Sequence, residues 1–64
     1  MRGTVTAFDE HVGLGTVTAD DGTPYLFHCV EIADGSRTIA VGASVTFERL
    51  PKLGRYEASH LSPC

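Results

Sequence analysis

Five side chains in this chain are the most suited to chemistry: His11, His28, His60, Cys29 and Cys64. A zinc site needs thiolates and imidazoles at converging spacings such as C-x-x-C or H-x-x-x-H, and neither spacing occurs. His28 and Cys29 are adjacent, so on an extended strand they point to opposite sides. They form neither a ligand pair nor a nucleophile with its base. Gly13-Leu14-Gly15 lacks the further glycine and the following helix of a phosphate-cradling loop. These residues point away from an enzyme, and no metal or cofactor is expected. Two kinds of surface remain. One is Leu14, Thr16, Leu26 and His28, which alternation places outward on neighbouring strands. The other is Arg49, Lys52 and Arg55 around "ERLPKLGRYE". With Glu48 and Glu57 interspersed, that second cluster reads first as a solvated hairpin tip and second as a phosphate-tracking edge.

The elements that must position these residues are strands. Val, Thr, Tyr and Phe recur with a two-residue alternation, and turn clusters interrupt at short intervals. The reading places a first strand at 3–10 with Val5 inward and Thr4 and Thr6 outward. A second follows at 13–20 with Val17 inward and Leu14, Thr16 and Thr18 outward. "DDGTP" is a hairpin turn, because Asp21-Gly22 tolerates the positive backbone angles of a tight connection. Pro24 has no N–H to give a ladder, so a third strand begins there, running over 25–30 with Tyr25 and Phe27 inward. A loop with a short helical turn near 31–34 leads to a fourth strand at 44–50, with Val45 and Phe47 inward. A fifth closes at 56–61. Five short strands protect so small a core only by closing on themselves, so the expected fold is an all-β, five-stranded antiparallel barrel. Val5, Val17, Tyr25, Phe27, Ile32, Val45, Phe47 and Leu61 are its expected core.

Composition bounds the rest. At 64 residues the chain is expected to be one domain spanning 1–64. No stretch approaches the ~18 consecutive apolar residues of a membrane span, and "MRGTVTAFDE" has no apolar signal-peptide region. A soluble, cytoplasmic protein is expected, with no membrane partner. A net charge of −3 gives no general attraction to phosphates. Two cysteines without a C-x-x-C pair fit free thiols in a reducing compartment, and a Cys29–Cys64 bridge would require the terminal residue to reach a strand.

Four segments carry a family pattern: Gly3-Thr4-Val5-Thr6-Ala7-Phe8, Val12-Gly13-Leu14-Gly15-Thr16-Val17, Pro24-Tyr25-Leu26-Phe27-His28-Cys29 and Gly42-Ala43-Ser44-Val45-Thr46-Phe47. In order and spacing they resemble the G-x-V-K-W-F, K-G-F-G-F-I, D-V-F-V-H-F and G-x-x-V-x-F segments of the cold-shock domain. That resemblance covers nearly the whole chain and implies a barrel of the oligonucleotide/oligosaccharide-binding (OB) type. It also implies binding of single-stranded RNA or DNA by stacking bases on outward aromatics.

Position by position, those aromatics are replaced. The family's Trp is Ala7, the two Phe of its glycine motif are Leu14 and Thr16, and the outward Phe of the third strand is Leu26. Cys29 stands for the Phe after the histidine, and the Phe of the next loop falls near Ser36. The phosphate-contacting lysines are Thr6 and Val12. Stacking contributes ~1–3 kcal/mol per base, against about 8 kcal/mol for a whole micromolar complex, so losing four platforms leaves weak binding at most. Of the contacts the resemblance implies, Phe8, His28 and Arg37 survive, Phe8 reading first as a partly buried strand-end residue, and the candidate binding set is Phe8, Leu14, Thr16, Leu26, His28 and Arg37. Two functions stay open: a weak single-stranded nucleic-acid binder, or a module that uses the aliphatic face around Leu14, Leu26 and His28 for a protein partner or a homodimer.

Overall fold

The computed structural model describes every residue except Asp34, Ser36, Arg37 and Cys64. Five strands make the fold: β1 (Arg2–Asp9), β2 (Leu14–Ala19), β3 (Pro24–His28), β4 (Ser44–Lys52) and β5 (Arg55–Pro63). They close into a barrel in the order β1-β2-β3-β5-β4, with β4 returning to β1. Closure gives every strand two neighbours, which removes the exposed ladder edges of an open sheet. The β3–β5 seam is parallel and short, made at Leu26 opposite Glu57, whereas the other pairs are antiparallel. An isolated bridge from Ile32 to Leu61 extends that seam.

The turns follow their residue types. The Asp9 carboxylate accepts the backbone N–H groups of His11 (3.0 Å) and Val12 (3.4 Å), and Gly13 then turns the chain at φ 77°. Such a carboxylate-to-backbone bond is the usual way aspartate starts a turn. At the β2–β3 hairpin Asp21 accepts the Thr23 N–H at 2.9 Å, and Gly22 sits at φ 90°. Gly15 meets a different demand. A Cβ there would lie 2.5 Å from the Phe27 Cζ and 2.8 Å from the Ala7 carbonyl oxygen. The absence of a side chain is what lets the Phe27 ring pass beneath β2.

All the expected core residues are buried, joined by Ala19 and Ala58. Tyr25 and Phe47 meet as a tilted ring pair with centroids 5.6 Å apart. Strand ends differ in places. β3 stops at His28 and not at Val30: the Cys29 N–H still donates across to the Gly13 carbonyl at 2.8 Å, and the chain then makes one 3-10 turn over Cys29–Glu31. The helical turn therefore comes earlier than the 31–34 expected, and Asp34 lies outside the described residues. β4 and β5 run on to Lys52 and Arg55, leaving only Leu53 and Gly54 between them.

Two irregularities decide which side chains face out. The β1–β2 register shifts between Val5 and Ala7, so Ala7 pairs with Thr16 and Phe8 with Gly15. Strict alternation from Val5 would send Phe8 outward, but the bulge turns it inward. The β4–β5 register shifts between Thr46 and Glu48, opposite His60, which adopts φ 51°. That extra residue keeps Leu61 fully buried while Glu57, Ala58 and Ser59 are all buried before it.

Candidate nucleic-acid interface

Register partners project to the same side of a sheet, so the pairing alone maps the outer surface. One row runs Ala7, Thr16, Leu26, Glu57, Leu50, with each residue the partner of the next across all five strands. Above it lies a shorter row of Asp9, Leu14 and His28. Leu14, Thr16 and Leu26 are half-buried and His28 is exposed. They form one continuous patch on β2 and β3 with apolar stems and a single imidazole.

The structure thus brings together Leu14, Thr16, Leu26 and His28 and separates Phe8 from them. Phe8 lies on the inner side, its ring stacked at 5.9 Å and 5° on that of Phe27. It packs against the core from beneath the patch and is half-buried. Of the two readings of Phe8, a ligand contact or a partly buried strand-end residue, its packing against the core agrees with the second, and the bulge at Val5/Ala7 is the cause. Arg37, and with it the position near Ser36, lies outside the described residues. Thr6, standing where the family pattern has a lysine, bonds to the Thr18 hydroxyl at 3.1 Å and donates to the Thr16 carbonyl at 3.3 Å. Its hydroxyl is spent within the sheet. Val12 is exposed on the β1–β2 turn.

Beside the patch stands a group that alternation alone treats as a solvated hairpin residue. Glu57 is buried, its side chain only 5% exposed. Its Oε2 accepts from the Arg55 guanidinium at 3.1 Å, and its Oε1 lies 3.5 Å from His28 Nε2. Both partners are well exposed, 62% for the Arg55 side chain and 50% for that of His28. Arg55 pairs with Lys52 across the hairpin, so both continue the outer side on which Glu57 and Leu26 lie. Arg49 and Tyr56 occupy the opposite side, the guanidinium 4.8 Å from the ring centroid. The basic hairpin is therefore divided: Lys52 and Arg55 adjoin the patch and Arg49 does not. No local pattern in the sequence announces the Glu57 cluster, because it depends on the β3–β5 seam.

Chemically, the arrangement is a surface for contact. Among the described residues no group of three or more His, Cys, Asp or Glu side chains is placed to hold a metal. Cys29 is a free thiol, half-buried against the core. Outward groups on β2 and β3 offer apolar area, one imidazole and, across the seam, a guanidinium already engaged by a carboxylate.

The model of the 'Cold-shock' DNA-binding domain fits residues 1–64, the whole chain. No curated protein matches it closely enough to be named as a relative. The match extends through every strand of the barrel, including β4 and β5, and agrees with the all-β closed topology. The protein belongs to the cold-shock DNA-binding domain family.

Proposed function

We propose that this protein binds single-stranded RNA or DNA weakly, through Leu14, Thr16, Leu26 and His28 on β2 and β3. The observation that carries the reading is the continuity of this patch. The register joins the four residues on one outer side, where the resemblance read from the sequence puts the ligand-contacting side chains. Leucine offers a base apolar area without the ring face that makes stacking sequence-tolerant and strong. His28 is the patch's one ring, and its exposure leaves it open to a base. With a net charge of −3, long-range attraction to a strand is absent, and the surrounding Asp9 and Glu10 oppose it further. Binding here is contact-driven, without catalysis and without a cofactor, in the cytoplasm.

An amide-shift titration with a pyrimidine-rich single strand at low salt tests this. The chain has no Trp, so fluorescence quenching has no strong reporter. Shifts converging on Leu14, Thr16, Leu26 and His28, and fading as salt rises, are the expected result. No shifts at about 1 mM strand, a concentration that would reveal complexes of about −4 kcal/mol, would overturn it. The aliphatic patch would then be read as a protein-contact or self-association surface.

A further inference from the structure

Among the described residues Glu57 is the only charged side chain that the barrel buries. A buried carboxylate is tolerated only with compensating partners. Here both partners, Arg55 and His28, come from the solvent side of the sheet. Each is a group that a strand phosphate would seek: a guanidinium binds carboxylate and phosphate oxygens with the same donor fork. We infer that Glu57 is an affinity-determining residue of the outer face, an internal competitor whose carboxylate occupies the Arg55 donors that a nucleic-acid phosphate would otherwise take, with the His28 imidazole 3.5 Å from its second oxygen. This inference rests on the nucleic-acid reading above.

Three observations support it. Glu57 is the direct register partner of Leu26, so its charge lies at the centre of the proposed contact row. Its carboxylate faces two cationic or donor groups at once, 3.1 Å from one and 3.5 Å from the other. Lys52, the neighbouring cation on the same side, is exposed and is the register partner of Arg55, so a freed Arg55 would join it in one basic edge. A phosphate that takes Arg55 from Glu57 leaves a buried carboxylate short of a partner, which sets a penalty on every such contact. The strand is consequently held by its bases against the leucines and gains little from its backbone.

The test is a comparison of the wild type with Glu57→Gln, which keeps shape and removes charge. Binding of a pyrimidine-rich DNA single strand is followed as a function of salt, with the amide spectrum confirming the fold. At about 50 mM salt the variant is expected to bind about five- to tenfold tighter, and its slope of log K against log salt to be steeper by about 0.7, the contribution of one freed cation on a single strand. Adding Arg55→Gln to Glu57→Gln should abolish both gains. Should Glu57→Gln fail to fold, Glu57→Met serves instead, since the partners it leaves, Arg55 and His28, are exposed and no buried charge is left unpaired. Its expected gain is the same. If the wild type binds and the folded variant binds equally or more weakly with an unchanged slope, the competitor role is overturned while the nucleic-acid reading stands. If neither protein responds at about 1 mM strand, both fall.

Discussion

Leu26 and Phe27 are neighbours on β3 and obey different constraints. Phe27 points into the barrel, is fully buried, and is stacked by Phe8, while the bare Cα of Gly15 makes room for its ring. Leu26 points outward between Thr16 and Glu57 and is only half-buried. The same contrast holds along β2, where Val17 is buried and Thr16 and Leu14 face out. The inner side is a close-packed assembly in which each shape is set by its neighbours. The outer side is packed on one face only, so a change there is expected to leave the barrel standing. That separation would let side chains such as Leu14 and Leu26 vary on the outer side while the core of the cold-shock fold is kept.

Truncating the inner side is the strongest way to sharpen the contrast. Phe27→Ala removes the largest fully buried side chain and strands the Phe8 ring. A loss of about 3–5 kcal/mol is expected, a large part of the stability of a domain this size, read as loss of cooperative thermal unfolding or a greatly lowered Tm. The outer side should respond oppositely. Leu26→Phe combined with Thr16→Phe is expected to change stability by no more than about 0.5 kcal/mol per site. It should also strengthen binding of a pyrimidine-rich strand by about 1–3 kcal/mol for each base that gains a platform, measured by titration of amide shifts. A stability loss comparable to that of Phe27→Ala would break the proposed independence of the two sides.

The smallest expected effect lies at the hairpin that joins β2 to β3. The backbone N–H of Thr23, and then its hydroxyl, hold the Asp21 carboxyl below the ordinary aspartate range. A folded value depressed below the unfolded one adds stability that is complete above the ordinary aspartate pKa of about 3.9. That contribution is lost as pH falls through the depressed folded value. The Thr23 amide resonance should therefore move on acidification below about pH 4, with the β3 amides unmoved until the barrel itself unfolds. A Thr23 amide that is indifferent to that range would show that the turn does not depend on the charge.

Much of this architecture was legible in the residues. Alternation identified the buried positions because a strand's side chains must alternate, and Asp-Gly and Asp…Gly pairs marked the turns because few other residues adopt their backbone angles. Leu14, Thr16, Leu26 and His28 could be grouped because they lie on consecutive strands joined by local hairpins. Which side Phe8 faces was not legible, for the opposite reason. A single added residue in β1 inverts the side of everything after it, and no residue type at Val5-Thr6-Ala7 announces it.

The chain by itself determined the three local hairpins, β1–β2, β2–β3 and β4–β5, the composition of the core and the family pattern, all of which depend on neighbours in sequence. Only the tertiary structure decided the environment of Glu57. The carboxylate is buried because the parallel β3–β5 seam brings it beside Leu26 and beneath His28, residues from which the whole of β4 separates it in the chain. A charge in a "RYEAS" segment reads as solvated until closure of the barrel removes the solvent. Whether Arg55 is free to meet a phosphate is then a property of the closed ring, because the competing carboxylate is delivered to it by the fold.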